Sequence, residues 1–261
     1  MHFLSIGCFA KNEDPYFPEW IAFHQLAGVD HFYIYDNGSN VPIGEVLKGD
    51  VAKGIVTVVD FPGKHLQRPA YQDCLHRFSG DSEWIAFIDV DEFLFATSGQ
   101  SLKDILPAYR EYAGVAVHWS VFGSSGHKTK PPGLQIENFL MMEPENPHIK
   151  SIVRPDRVAD CPTSHYFHPR NPLVPIVDEA FQPVWSSIVR PCRSKVLRLN
   201  HYWARSEQEF LDKCRKGRPD AQAELDPSWL GRVDSVATME DRAILRFADP
   251  LRKALSFRKH P

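Results

Sequence analysis

The first 115 or so residues alternate between apolar runs of strand length and segments of helical character, and this alternation strongly constrains the fold. The apolar runs are HFLSIGCFA, HFYIYDN, IVTVVDF, EWIAFID and VAVHWSVFG, and glycines or prolines close the segments between them. Strands that alternate with helices form βαβ units around a mostly parallel sheet. Because the runs are apolar almost throughout, we expect helices on both faces of that sheet.

The chain becomes less regular after Gly123. Residues 124–190 are rich in Pro, Gly, Ser and His, which predicts a loop-rich region. A strand is expected in SKVLRLNHYW, followed by a helix whose Ser206 and Glu209 have capping-box spacing and whose end is at Gly217. We predict one domain over 1–217, with the loop-rich part beginning at 123, and a C-terminal helical extension over 218–261.

Composition and charge exclude several classes of protein. The net charge of −3 gives no basic field for nucleic acid. Five cysteines without a C-x-x-C pair fit reduced thiols better than disulfides or a zinc site. No apolar run approaches the roughly 18 residues of a membrane span, and the N-terminus lacks the pattern of a signal peptide. These features predict a cytoplasmic location.

Three carboxylates in four positions follow the fourth apolar run: Asp89, Asp91 and Glu92 in WIAFIDVDEFLF. Ligands of open α/β sheets bind beyond the carboxyl ends of the strands. In an extended chain Asp89 and Asp91 would point to the same side and repel each other unless a cation neutralised them. A hard divalent cation does this and can also bind a diphosphate. The alternative is a solvated turn, but KNED and DNGS follow the first two runs in the same way, which favours one shared site.

The ordered set of motifs resembles a GT-A glycosyltransferase, closest to family 92 and the related family 2. The motifs are AKNEDPYFPEWIAFHQLAGVDHFYIYDNGSN, WIAFIDVDEFL, WSVFGSSG, KSIVRP and LNHYWARSEQEFLDK, spread from residue 10 to about 213. The resemblance implies a nucleotide-sugar half over 1–122 and an acceptor half over 123–217. It also implies a UDP-sugar donor, a glycan or glycolipid acceptor, Mn²⁺ or Mg²⁺ as cofactor, and inversion at the anomeric carbon.

The resemblance also assigns roles to individual residues. Asn12 and Glu13 match the loop that holds the nucleotide base, and Asp36 matches an acid that contacts the uridine, although DNGS would form a turn in any case. Asp91 matches a direct metal ligand, and Asp89 matches a carboxylate that reaches the ribose or a metal-bound water.

His201 in LNHYW matches a late histidine that completes the metal site, and imidazole suits Mn²⁺. Trp119 is placed to stack on a sugar, or is simply buried. Cations for the phosphates are sought among five residues, with Arg68 preferred: Arg68, Lys150, Arg154, Lys213 and Arg218. We interpret His165 and His168 as acceptor-loop or packing residues, because Pro169 argues against the helix that a metal pair would need.

The catalytic base is less well defined. Inverting enzymes of this fold use an acidic residue of the acceptor half, where Glu137, Asp178 and Glu179 all qualify, and Glu137 is preferred. Two other classes stay open: a nucleotidyltransferase acting on a sugar phosphate, against which FAKNEDPYF lacks a glycine, and a non-catalytic sugar-binding module.

The C-terminal tail mixes apolar and basic residues from Asp241 onwards. A basic amphipathic helix can lie on an anionic membrane, which predicts peripheral contact with the inner face of a membrane. The alternative is that the apolar residues pack on the domain. Pro250 is expected to divide the tail into two short pieces.

Overall fold

A computed structural model describes residues 1–217 and 225–258, apart from the side chain of residue 258. The strands are β1 His2–Ala10, β2 His31–Asp36, β3 Val56–Asp60, β4 Ser82–Phe87, β5 Glu92–Ala96, β6 Gly114–Val121, β7 Met141–Met142, β8 Ile149–Val153, β9 Val158–Asp160, β10 His168–Pro169, β11 Ile176–Val177, β12 Pro183–Val184, β13 Leu197–His201 and β14 Met239–Glu240.

The helices are α1 Phe17–Ala27, α2 Ile43–Val46, α3 Lys48–Ala52, α4 Gln67–Phe78, α5 Leu102–Ile105, α6 Gln135–Asn138, α7 Glu207–Lys216, α8 Trp229–Val236 and α9 Ala248–Arg258. Two 3₁₀ turns cover Leu106–Tyr109 and Ala243–Phe247.

The main sheet has the strand order β12-β11-β6-β8-β4-β1-β2-β3, and β13 pairs with both β6 and β5. β1 lies parallel to β2 and β4, and β2 lies parallel to β3. The carboxyl ends of β1, β2 and β4 therefore meet at one edge. The expected α/β fold with a mostly parallel sheet is confirmed.

Helices cover both faces of the sheet because successive residues of each strand point to opposite sides. In β1, Ile6 and Cys8 join a core cluster that also contains side chains of α1 and α9. Phe9 joins a second cluster that contains Tyr71 and Leu75 of α4.

The strand β8, in the region expected to be loops, is inserted between β4 and β6 and runs antiparallel to both. The apolar residues after the carboxylates form β5, which pairs antiparallel with β13. Both strands were missed, because β8 lies among loop-forming residues and β5 continues the same apolar stretch as β4.

Three other elements bear on the predictions. The helix expected over 101–114 is only α5 and a 3₁₀ turn, in which Pro107 lies at the start. The capping box of Ser206 and Glu209 is confirmed, and α7 ends at Gly217. Pro250 does not divide the tail, because it lies in the first turn of α9, where its missing N–H costs no helical hydrogen bond.

The C-terminal segment packs on the domain. Ile244 and Leu251 are buried in the main core, and the Phe247 ring lies 4.7 Å from that of Phe23 and 5.8 Å from that of Phe95. These contacts account for much of the apolar content of the tail. In the described residues, none of the helices has the length and apolar character needed to cross a membrane.

Candidate active site

The carboxylates after β4 form a tight turn rather than an extended segment. β4 ends at Phe87, the N–H of Glu92 donates to the carbonyl oxygen of Asp89 (3.0 Å), and the N–H of Asp89 donates to Glu92 Oε2 (2.7 Å). The expectation that Asp89 and Asp91 lie on an extended strand and share a side is therefore wrong. The turn gives the two carboxylates different partners.

The carboxylate of Asp89 is held by α4 and β8. Its Oδ1 accepts hydrogen bonds from Gln67 Nε2 (2.6 Å) and Tyr71 Oη (3.2 Å). Its Oδ2 lies 2.8 Å from Lys150 Nζ. Asp89 is thus fixed from three directions and carries its own cation.

Lys150 is buried and also lies 3.5 Å from Glu92 Oε2. Burial lowers the pKa of Lys150, but Asp89 and Glu92 raise it further, so the ammonium stays charged. The sequence suggested Lys150 as a cation for phosphates, whereas in the structure it neutralises the two carboxylates.

Glu92 is completely buried, and burial raises its pKa to about 8. Its Oε1 has no hydrogen-bond partner and lies 3.9 Å from His201 Nδ1, which also has none. Sequence reasoning assigned Glu92 no role, although its place in the triplet was the available signal.

Asp91 faces the other side of the turn, towards β13 and α7. Its Oδ2 lies 2.7 Å from Lys213 Nζ, and its Oδ1 lies 3.4 Å from His201 Nε2. Burial favours protonation of Asp91, but Lys213 and His201 hold its pKa well below the usual range. Burial lowers the pKa of His201, so its imidazole is neutral near pH 7.

The donor atoms of Asp91 and His201 fit a divalent cation. A carboxylate oxygen and a neutral imidazole nitrogen 3.4 Å apart are near the separation of neighbouring ligands around one ion. Among the described side chains, no three His, Cys, Asp or Glu residues are grouped as ligands of one metal. The protein would therefore supply two ligands, and phosphate oxygens and water would supply the rest, as is common for Mg²⁺ sites with phosphate substrates.

Glu13, after β1, is tied to the segment that follows β13. It lies 3.0 Å from Arg205 Nη1 and forms an ion pair with Lys216. Burial raises the pKa of Glu13, but Arg205 and then Lys216 lower it further. Arg205 also stacks on Tyr16, 3.5 Å from the ring centroid, and its Nε and Nη2 are buried without a partner. Sequence reasoning missed Arg205 and Lys216, since their contact with Glu13 spans about 200 residues.

The loops after β1 and β2 are linked by Asn12, which has a left-handed φ of 54°. Its N–H donates to Ser39 Oγ, and its Oδ1 accepts from the N–H of Asn40. Asp36 accepts from the N–H groups of Ser39 and Ile43, so its carboxylate closes the turn after β2. A uridine contact for Asp36 stays a prediction.

Arg68 lies beside this cluster, one residue after Gln67. It borders a cleft of about 390 Å³ that is also lined by Gln72, Cys161 and His168. Arg154 donates to the carbonyl oxygen of Arg110. Arg218 lies outside the described residues.

Trp119 of β6 is surrounded by histidines. Its ring centroid lies 4.3 Å from that of His201, 5.0 Å from His165 and 5.2 Å from His148. Its indole Nε1 is buried without a hydrogen-bond partner. The structure therefore places Trp119 against His201, while a contact with sugar stays a prediction.

The three candidate bases all have structural partners. Glu137 forms an ion pair with Arg252 of α9, and the buried Asp178 lies 3.3 Å from Arg193. Glu179 accepts from backbone N–H groups at residues 195–197. The structure brings Asp89, Asp91, Glu92 and His201 together, and none of the contacts of these three acids joins them to that cluster.

A mostly parallel sheet with clustered carboxylates beyond a central strand defines an α/β protein with its ligand site at the strand ends. The family model of glycosyltransferase family 92 matches residues 8–219. The chain therefore belongs to glycosyltransferase family 92.

Curated relatives are consistent with this family. A glycosyltransferase family 92 protein of Ricinus communis is 28% identical over 269 residues, covering 96% of this chain and 48% of the relative. The galactan beta-1,4-galactosyltransferase GALS2 of Arabidopsis thaliana is 35% identical over 105 residues, or 36% of this chain and 20% of the relative. The chain thus spans about half the length, or less, of these relatives.

Solved structures are more distant. S. aureus TarS 1–349 in complex with UDP-GlcNAc aligns with a TM-score of 0.45 and 12% identity, covering 90% of this chain and 65% of that one.

Proposed function

We propose that this chain transfers a sugar from a UDP-sugar donor to a hydroxyl group of a glycan or glycolipid, with inversion and with the help of Mn²⁺ or Mg²⁺. The observation that carries the proposal is the 3.4 Å approach of Asp91 and His201 at the strand ends, in a chain of glycosyltransferase family 92. The named activity of GALS2 suggests galactose as the first sugar to test.

In the proposed reaction the acceptor hydroxyl attacks the anomeric carbon, the bond from that carbon to the UDP oxygen breaks, and the hydroxyl proton passes to a base. Asp91 and His201 would hold the cation, which would neutralise charge on the departing diphosphate when bound. Glu13, Asn12 and Asp36 would bind the nucleoside from the ends of β1 and β2. Glu137 stays the proposed base.

The cations around the turn support a site for a charged leaving group. Lys213 and Arg205 lie within reach of the carboxylates, and two nitrogen atoms of Arg205 have no partner. Lys and Arg suit phosphate oxygens. Arg68 would add a further positive charge from the start of α4.

UDP binding, measured by calorimetry with and without Mn²⁺, tests the proposal. We expect Mn²⁺ to increase the affinity for UDP, and we expect UDP release when UDP-galactose and a β-1,4-galactan oligosaccharide are supplied together. Pyrophosphate release from UTP and galactose 1-phosphate would instead indicate a nucleotidyltransferase. Glycan binding without any UDP binding would indicate a sugar-binding module.

Location and membrane contact are part of the proposal. We expect a cytoplasmic protein with peripheral contact to the inner face of a membrane through α9, where Phe257 is 70% exposed beside basic residues. Cell fractionation tests the location.

A further inference from the structure

An aromatic corner lies beside Asp91 and has no part in the donor site described above. Trp203 comes two residues after β13, and its carbonyl oxygen accepts a hydrogen bond from Lys213 Nζ (3.0 Å). The same Nζ lies 2.7 Å from Asp91 Oδ2 and 5.4 Å from the centre of the Trp203 ring. The indole of Trp203 is therefore next to the carboxylate of Asp91.

A second indole completes the corner. Trp229 is the first residue of α8, and its ring centroid lies 6.4 Å from that of Trp203 at an interplanar angle of 62°. Its side chain is 45% exposed, and the guanidinium of Arg232 lies 5.3 Å from its ring centroid. An indole exposed to this degree offers an apolar surface, with polar groups of Arg232 beside it.

The position of α8 is fixed by contacts with the end of β6. Asp234 accepts hydrogen bonds from the N–H and the hydroxyl of Ser124, both 2.6 Å long. A Cβ atom at Gly123 would lie 2.5 Å from Asp234 Oδ1, so the close approach of α8 requires glycine there. Trp229 is therefore held by a rigid element, as a binding site needs.

The sheet order indicates which substrate this corner faces. The proposed nucleoside contacts lie at the ends of β1 and β2, on one side of β4, whereas α8 is fastened to β6 on the other side. The corner and the nucleoside contacts thus flank the carboxylates from opposite directions. A ligand at the corner would meet the reacting sugar from the acceptor side.

We propose that Trp203 and Trp229 form an acceptor subsite that stacks a pyranose ring of the glycan, an inference that rests on the proposed function. A pyranose has C–H faces and a rim of hydroxyl groups. Indole rings cover the former, and the guanidinium of Arg232 can donate to the latter. The C-terminal segment, outside the 1–217 domain predicted from the sequence, thereby contributes to substrate recognition.

Kinetics of Trp229→Ala, Trp229→Phe and Val236→Ala test the subsite. Val236 is exposed on the same helix and serves as the matched control. With UDP-galactose and β-1,4-galactotetraose as substrates, we expect Trp229→Ala to raise the acceptor KM about tenfold, equivalent to 1.4 kcal/mol, with the donor KM unchanged. Trp229→Phe should restore most of the affinity, and Val236→Ala should behave as wild type.

Binding of the same variants to an immobilised glycan array, and to UDP by calorimetry, separates two failures. If the wild type binds UDP but Trp229→Ala leaves glycan binding and acceptor KM unchanged, the subsite is overturned and the proposed function stands. If the wild type binds no UDP, the proposed function is overturned and the acceptor subsite with it. Circular dichroism of each variant confirms that it is folded.

Discussion

The ammonium of Lys150 lies 2.8 Å from Asp89 Oδ2 and 3.5 Å from Glu92 Oε2, so one buried cation neutralises two acids of the turn. Removal of one partner from a buried ion pair leaves charge without compensation, which costs more than the pair itself contributes.

Lys150→Met is therefore expected to destabilise the fold by about 3–5 kcal/mol, measured by urea unfolding at pH 7. Lys103→Met is the matched control, because Lys103 pairs with Asp30 at the surface, where the loss should be about 1 kcal/mol or less. The double variant Lys150→Met/Glu92→Gln should recover part of the loss. Equal losses in the two single variants would contradict this account.

Asp91→Asn is expected to fold normally and to lose the increase in UDP affinity that Mn²⁺ provides. The substitution keeps the size of the side chain but removes the charge that a divalent cation requires. Asp60→Asn, at the exposed end of β3, is the control. Calorimetry of UDP with saturating Mn²⁺ checks the prediction, and wild-type affinity in Asp91→Asn would exclude Asp91 as a ligand.

His201→Ala is expected to weaken Mn²⁺ binding by at least about tenfold, since even residues that only orient a metal ligand contribute that much. Electron paramagnetic resonance of free Mn²⁺ gives the affinity without reference to activity. His168→Ala, at an exposed position, is the control. A loss of several kcal/mol in metal-free stability with unchanged Mn²⁺ affinity would show that His201 is a packing residue.

Glu92→Gln is expected to change how stability depends on pH. Burial raises the pKa of Glu92 from 4.5 to about 8, so the native state keeps a proton that the unfolded state has released. The resulting stability is complete below pH 4.5 and is lost as the pH rises towards 8.

Because glutamine does not titrate, the variant should gain on the wild type across this window, by on the order of a few kcal/mol. Urea unfolding at pH 4.5, 6 and 8 measures the gain. Glu111→Gln, at an exposed position, should show no such trend. A difference between Glu92→Gln and the wild type that does not vary with pH would refute the prediction.

A chain that ends at Arg242 is expected to lose its cooperative unfolding transition. It lacks Ile244, Phe247 and Leu251, which pack against α1 and β5, and burial of each such side chain contributes about 2–5 kcal/mol. Thermal unfolding followed by circular dichroism measures the effect.

Phe257→Ser is the matched variant for the tail, because Phe257 is exposed and its replacement leaves the core intact. Sedimentation with phosphatidylserine vesicles then isolates membrane contact. A stable truncated chain would show that α9 is dispensable for folding.

The sequence was most informative where contacts are local. β1 to α4 follow directly from apolar periodicity, and the capping box of Ser206 and Glu209 fixes the start of α7. β8 could not be predicted in the same way, because IKSIV becomes a central strand only through pairing with β4 and β6, far away in the chain.

The candidate site divides along the same line. The resemblance supplied Asp89, Asp91 and His201, which the structure brings together. It did not supply the contacts that hold Glu13 and Asp89, because Arg205, Lys216 and Lys150 act from distant segments. Charge balance in a folded cluster depends on tertiary structure, which a local pattern does not encode.

The insertion of β8 between β4 and β6 has a consequence for the order in which the chain acquires structure. The strands β1, β2, β3 and β4 are complete once residue 87 has been synthesised, whereas the outer edge of β4 waits for residues 149–153. Contacts between distant segments form slowly because loop closure must precede them. The acids of the turn therefore exist in the nascent chain well before their counter-ion, and their mutual repulsion is relieved only when the last central strand docks.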